Sequence, residues 1–313
     1  RLSINIGCDP SPLPHPPSMD DKSSICLPFL LELLDTHPPQ RPLIVGLNGL
    51  QGVGKTTLAA ALVADLEDRG IAAVACSIDD FYLRREDQVS LAHRYADNAL
   101  LQHRGEPGDT SPCAARTHDV ALARDVFASL AQGLPTNIPR YNKAAYSGRG
   151  DRLPESCWRP VNQPGQPPLR LVILEGWSVG FRALSDLDVE ARWRAPSRTL
   201  LKHRLEHLLL VNDMLRSYND LTDMLDAMIH VDAEDVECVY TWRQEQEDAL
   251  RVDRQDPNAG MTPDQVLDFV DGYFPAYELY TQGIRSGVLP HRPGCQLRMI
   301  VGRDRKVKQV LRI

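Results

Sequence analysis

Gly46-Leu47-Asn48-Gly49-Leu50-Gln51-Gly52-Val53-Gly54-Lys55-Thr56-Thr57 is the stretch on which the fold turns. Within it, Gly49 through Thr56 matches the Gly-x4-Gly-Lys-Ser/Thr pattern without a mismatch, and the pattern has a mechanism. Glycines let the chain turn tightly and aim successive backbone N–H groups at phosphate oxygens. The start of the following helix adds partial positive charge at the same point. The flanks fit. Pro42 to Val45 reads as a short buried strand. Lys55 to Arg69 reads as a helix with Leu58, Ala61, Leu62 and Leu66 on one face and Gly70 as its stop. Gly49, Leu50, Gln51, Gly52, Val53, Gly54, Lys55, Thr56 and Thr57 are thus expected to cradle a nucleoside triphosphate. Lys55 would reach the β- and γ-phosphates, and the Thr56 hydroxyl would ligate Mg²⁺. A glycine-rich turn that binds nothing is the bland alternative, and the strand and helix on either side argue against it.

Outward from this loop, composition sets bounds. The 313 residues can bury one large core or two small ones. With 42% hydrophobic and 25% charged residues the chain falls in the soluble globular class. A net charge of -7 argues against nucleic acid as a partner, since such domains carry a basic surplus. Seven scattered cysteines without a C-x-x-C pair suit reduced thiols, a cytoplasmic location (the nucleus being the other compartment considered) and no zinc site. No apolar run is long enough to cross a bilayer, so no membrane partner is expected. Oligomeric state is not legible.

The chain before the loop divides in two. Residues 1–18 hold five prolines and are expected to lack fixed structure. They read as a tail, a targeting remnant or an extension of the gene model ahead of Met19. Ser23 to Thr36 reads as a short helix. Residues 1–40 are therefore set apart as a Pro-rich extension with a helix, and 41–313 as one P-loop domain.

Beyond the loop's helix, Ile71 to Ile78 is a continuous apolar run, as expected of a parallel strand covered on both faces. It ends in Asp79-Asp80-Phe81-Tyr82, where doubly wound sheets bind ligands. Arg84 to His103 reads as mostly helical, Thr117 as the start of another helix and Asn137 to Tyr141 as a strand. Residues 142–168 read as a long basic Gly/Pro-rich loop of the kind that binds or covers ligands. Leu169 to Leu174 is the next buried strand, capped by Glu175-Gly176-Trp177. A helical stretch is expected from Thr199 to about Ala227, then a strand over Met228 to Val231 and a helix near 233–252. Thr262-Pro263-Asp264-Gln265 opens a helix that Pro275 should kink. Leu297 to Val301 and Val307 to Ile313 form a closing hairpin. Strands alternating with helices predict an α/β three-layer sandwich on a mostly parallel sheet.

Ser77-Ile78-Asp79-Asp80-Phe81-Tyr82 after a P-loop resembles the uridine kinase, phosphoribulokinase and pantothenate kinase group. Within it the chain is most similar to D-glycerate 3-kinase and its fungal relatives. That resemblance is carried by Arg104-Gly-Glu-Pro-Gly with Thr117-His118-Asp119, Pro139-Arg140-Tyr141-x-Lys143, Gly148 to Arg152, Ile173 to Trp177, Val211-Asn212, Val239-Tyr240-x-Trp242-Arg243 and Pro275-Ala276-Tyr277. It covers nearly everything from residue 40 onward. It implies ATP and Mg²⁺ as cofactors, a small anionic hydroxy acid as acceptor and a P-loop small-molecule kinase domain over 41–313, with a lid helix near 233–252. Two features depart from the pattern: residues 109–116 intervene before Thr117, where an exposed loop is expected, and Asn142 stands where an aspartate is usual.

Phosphoryl transfer needs positioning and charge neutralisation more than covalent chemistry. Asp79, first of the Asp-x-Phe pattern, is the expected base for the acceptor hydroxyl. Asp80 is the alternative, and one of the two could cap the next turn. Glu175 would hold Mg²⁺, or be a buried paired carboxylate. Arg140, Lys143, Arg149 and Arg152 against Asp151 make a net +3 segment suited to a carboxylate, or simply a solvated basic loop. Arg104, His118 and Tyr141 join them as acceptor candidates. Arg243 is read either as a lid residue over the phosphates or as an i,i+4 partner of Glu247. A nucleoside or pantothenate kinase, and a non-catalytic ATP-binding protein, are the alternative functions.

Overall fold

The computed structural model describes residues 21–102 and 117–313. The segment 1–18, Arg104 and the 109–116 insertion lie outside the described residues.

In chain order the elements are α1 (Asp21–Thr36), β1 (Leu43–Gly49), α2 (Lys55–Glu67), β2 (Ala73–Ser77), α3 (Arg85–Arg94), α4 (Val120–Ala131), β3 (Thr136–Ile138), β4 (Tyr141–Asn142), α5 (Ala145–Gly148), β5 (Asp151–Arg152) and β6 (Arg159–Val161). They continue with β7 (Leu171–Gly176), α6 (Asp186–Arg194), α7 (Leu205–Leu215), α8 (Asn219–Thr222), β8 (Ala227–Ala233), α9 (Cys238–Arg254), α10 (Pro263–Ser286), β9 (Gln296–Val301) and β10 (Val307–Arg312). Six strands form one sheet in the order β10-β9-β8-β1-β7-β2. Neighbours are parallel except β10, which runs antiparallel to β9. This is the predicted α/β P-loop fold with a mostly parallel sheet.

Every residue of β1, β7 and β8 is buried, which requires cover on both faces of the sheet centre. Each aliphatic side chain fully removed from water there contributes about 1.5–3 kcal/mol. Leu27, Leu30 and Leu34 of α1 join the same apolar core as the β1 residues Ile44, Val45 and Leu47. The chain leaves β1 toward β2 on one side and later returns to β8 on the other. β1 is therefore the switch point of the sheet, and a crevice opens at its carboxyl end.

Several local expectations are corrected. The single strand over 137–141 is two short strands in separate ladders, β3 with β6 and β4 with β5. Pro139 cannot donate a ladder hydrogen bond, and the break falls beside it. The loop over 142–168 contains α5, β5 and β6, short pieces whose pairing residues are too few to show a period. The helix expected over 199–227 is broken into α7, two 3₁₀ turns and α8, and α6 precedes it unforeseen. The first of these helices after Tyr82 stops at Arg94, and the second begins at Val120, with Asp119 accepting from the Leu122 N–H at 3.1 Å. The Thr262–Gln265 capping box forms, and α10 runs on through Pro275. Cys26, Cys76, Cys238 and Cys295 are thiols outside any disulfide, but Cys157 is disulfide-bonded. Spacing along a sequence does not say which sulfurs meet in space. Among the described residues, no helix is long and apolar enough to cross a membrane.

Candidate active site

The crevice at the carboxyl end of β1 is a cleft of about 310 Å³. Register builds it. Glu175 on β7 stands opposite Leu47 of β1 and Ser77 of β2, so three strand ends finish at one level. The P-loop rises from β1, the Asp79 turn from β2, and Glu175-Gly176-Trp177 closes the floor between them. Lining side chains include Gln51, Lys55, Thr56, Thr57, Asp79, Lys143, Glu175 and Arg243.

The loop conformation explains its glycines. Gly54 has φ +96°, in the left-handed region, and caps α2 without a side chain. Gly52 has φ +79°, and a Cβ there would sit 2.7 Å from the Trp242 Cβ. Only glycine permits both that backbone and the close approach of α9. Trp242 is fully buried, and its indole N–H donates to the Arg303 carbonyl at 2.8 Å. Arg305, in the turn between β9 and β10, donates to the Gly52 carbonyl at 2.8 Å. From α10, the Tyr277 hydroxyl donates to the Gln51 side chain at 3.1 Å. The P-loop is thus held by three elements that follow it by about two hundred residues or more.

On the cleft floor, the Thr56 hydroxyl donates to Glu175 Oε1 at 3.0 Å. Glu175 is buried, so its charge needs such a partner. Lys55 Nζ donates to the Leu50 carbonyl at 3.0 Å. Lost hydration lowers the Lys55 pKa, while Glu175 and Asp79 pull it the other way. The arrangement pairs a desolvated cation with a hydroxyl–carboxylate set of hard oxygens, which suits a polyphosphate and a magnesium ion. Among the described residues no cluster of three or more His, Cys, Asp or Glu side chains could hold a metal by itself. That is compatible with Mg²⁺, which keeps waters and binds through one or two protein oxygens plus phosphate.

Geometry sets Asp79 and Asp80 apart. Asp79 lines the cleft, and Lys143 Nζ donates to its Oδ2 at 2.6 Å. Asp80 turns away. Its Oδ2 accepts from the Ser77 N–H and its Oδ1 from the Tyr141 N–H, both at 3.2 Å, while the Ser77 hydroxyl accepts from the Asp79 N–H. Asp80 therefore caps the 3₁₀ turn over 78–81 and ties β4 to the end of β2.

Burial pushes the Asp80 carboxyl from 3.8 up to about 6, against the pull of its two backbone hydrogen bonds. A folded-state value above the unfolded one means stability falls as pH rises from about 4 to about 6, by roughly 3 kcal/mol in all. His230 works in the opposite sense. Burial holds it down to about 4 from 6.5, so its contribution makes stability rise with pH over nearly the same window. Asp80→Asn should remove the falling component. Its melting temperature should then climb more steeply between pH 4 and 6 than that of the parent. Parallel melting curves for the two proteins across that window would reject this account of Asp80.

Other predicted site residues are dispersed. Arg243 lines the cleft, makes the i,i+4 pair with Glu247 and lies 4.8 Å over the Phe269 ring. Arg152 donates to Asp119 at 3.0 Å with its side chain only 8% exposed, so that guanidinium is already engaged. His118 is buried, stacks on Tyr82 at 4.3 Å and meets the Tyr218 hydroxyl at 2.8 Å. The Tyr141 hydroxyl accepts from Gln88. Arg140 is exposed and Arg149 half-buried, and neither lines the cleft. Lys143 is the member of the basic segment that reaches it. Trp177 packs edge-on to Phe181, Tyr273 and Tyr277 at the cleft wall, as expected of a packing aromatic.

Sequence reasoning missed Gln246, Phe269 and Tyr273, which complete the wall on the α9 and α10 side. It also missed Asn48, whose amide donates to the Trp177 and Val179 carbonyls at 2.9 Å each and so fixes the turn after Glu175. A polar residue inside an otherwise apolar strand was the available signal.

Three comparisons with known proteins bear on this geometry. No protein-family model matches the chain. An uncharacterized kinase of Schizosaccharomyces pombe is 35% identical over 280 residues, 88% of this chain and 94% of that one. The chloroplastic D-glycerate 3-kinase of Arabidopsis thaliana is 38% identical over 244 residues, 76% of this chain and 48% of that longer one. Among solved structures, a D-glycerate 3-kinase from Cryptococcus neoformans superposes with a TM-score of 0.81 at 30% identity, over 94% of this chain and 100% of that one.

Proposed function

The chain belongs to the D-glycerate 3-kinase family of P-loop kinases, and on that premise we propose that it transfers the γ-phosphoryl group of ATP to the 3-hydroxyl of D-glycerate. The observation that carries this reading is the meeting of Lys55, Thr56, Glu175, Asp79 and Lys143 in one cleft. Each has a separate task there. Backbone N–H groups of the P-loop and the α2 N-terminus take the β- and γ-phosphates. Lys55 follows the charge that builds between them during transfer. Asp79 accepts the proton of the attacking hydroxyl and aims it at phosphorus. Lys143, the cation of the cleft beside Asp79, suits the acceptor's carboxylate.

Thr56 and Glu175 would hold Mg²⁺, which would supply neutralisation of the phosphate charge there. The observed hydrogen bond between the two side chains already sets their oxygens 3.0 Å apart. Glu175→Gln keeps the size and the acceptor for Thr56 but removes the charge. It should shift the Mg²⁺ activation curve at least tenfold toward higher concentration, with metal-free ATP binding little altered. Superimposable Mg²⁺ titrations for variant and parent would take Glu175 out of the metal site.

Glycerate is small and anionic, so its site needs a cation for the carboxylate and a base near the 3-hydroxyl, without an aromatic slot. The aromatic residues near the Asp79 turn suit that demand. Phe81 is fully buried, Tyr82 lines the cleft but is stacked on His118, and the Tyr141 hydroxyl is bonded to Gln88. A coupled ADP-release assay over D-glycerate, other hydroxy acids, uridine and pantothenate tests the reading. Turnover should be fastest with D-glycerate. Faster phosphorylation of uridine or pantothenate would overturn the acceptor and leave the kinase chemistry standing.

A further inference from the structure

The 2.6 Å contact between Lys143 Nζ and Asp79 Oδ2 has a consequence for the protein with ATP bound but no acceptor. A P-loop kinase in that condition faces water, which is abundant and can take the acceptor's place. In such hydrolysis the water oxygen bonds to the γ-phosphorus and the bond from that phosphorus to the bridging oxygen breaks. ADP leaves with the electron pair, and the water proton passes to the Asp79 carboxylate. A base occupied by an ammonium is a poor proton acceptor for that step.

The chain delivers this ammonium deliberately. Lys143 follows β4, and β4 is tethered to the end of β2 by the Asp80–Tyr141 hydrogen bond. The acid next to the base thus positions the strand that carries the base's partner. The Lys143 side chain is 58% exposed and that of Asp79 18%. A pair at such a solvent boundary is weak and is readily exchanged for another partner. Lysine suits exchange because its single donor head rides on a flexible four-carbon stem.

We propose that Lys143 discriminates between acceptor and water: its ammonium withholds Asp79 from water until an acceptor's carboxylate draws it away. The proposal rests on the kinase reading above and deepens it. An acceptor is then sensed by its carboxylate at one end and attacked through its hydroxyl at the other. Water offers no carboxylate and leaves the latch closed.

The test measures ATP hydrolysis without acceptor, in the full chain. Lys143→Met should raise it by about 1.5- to 5-fold, the range expected from losing one exposed ion pair, with an unchanged melting temperature. Lys143→Arg, which keeps the charge, should raise it less than Lys143→Met does. Asp79→Asn combined with Lys143→Met should lose the gain. D-Lactate, a glycerate without the 3-hydroxyl, should stimulate hydrolysis by the parent several-fold and do nothing to Lys143→Met. Acceptor-free hydrolysis in folded Lys143→Met at or below the parent's level overturns the proposal. So does a parent that phosphorylates glycerate but is not stimulated by D-lactate. The acceptor-free comparison uses no hydroxy acid. Failure of the parent to phosphorylate glycerate would therefore strike the proposed acceptor and leave that comparison intact.

Discussion

Lys55→Met should lower the rate of phosphoryl transfer by at least about 10³-fold while leaving the protein folded. The ammonium shares the cleft with Glu175 and Asp79 and feels the charge of both. Its charge acts most strongly on the oxygens that gain charge as the γ-phosphoryl group leaves, so the loss should fall on kcat. Methionine retains the apolar stem and gives up one hydrogen bond to the Leu50 carbonyl, which the loop turn can leave to water. Because burial already penalises this charge, its removal should change the melting temperature by only a few degrees. Steady-state ADP release and a thermal melt on the same sample check both halves. Near-parental turnover would remove Lys55 from the chemistry.

Asp79→Asn should lower kcat by about 10²–10⁴ with little change in the KM for ATP. The amide matches the carboxylate in size but cannot take the hydroxyl's proton. It also weakens the hold on Lys143, so the acceptor's KM can move independently. Asp80→Asn provides the internal comparison. Both Asp80 oxygens are spent on backbone N–H groups and Asp80 does not line the cleft, so its replacement should disturb stability more than transfer. A larger kcat loss from Asp80→Asn than from Asp79→Asn would exchange the roles assigned here. Single-turnover measurements with saturating ATP separate the proton-transfer step from product release.

The two residues also show how far sequence reasoning reaches. Both acids follow an apolar strand, and nothing along the chain separates them. Their split depends on the 3₁₀ turn over 78–81, in which consecutive side chains point about 120° apart. One is sent into the cleft and the other back to Ser77. The basic segment behaves alike. Arg140, Lys143, Arg149 and Arg152 look equivalent in sequence, yet the β4–β5 hairpin carries Lys143 to Asp79 and leaves Arg152 against Asp119.

The sequence by itself determined the P-loop, its flanking strand and helix, and the parallel sheet around them. Those features are written in local signals: glycine spacing, continuous apolar runs of strand length and a helix stop. It also determined which strand ends carry acids, because a parallel strand and its terminal residue are contiguous in the chain. Tertiary structure alone decided that Trp242, Arg305 and Tyr277 brace the P-loop from the last quarter of the chain. It alone decided that Asn48 fixes the turn after Glu175, and that Lys143 meets Asp79 across 64 residues. Contacts at such separations leave no period and no motif. They are set by how the strands order themselves in the sheet, and that order is a property of the packed core.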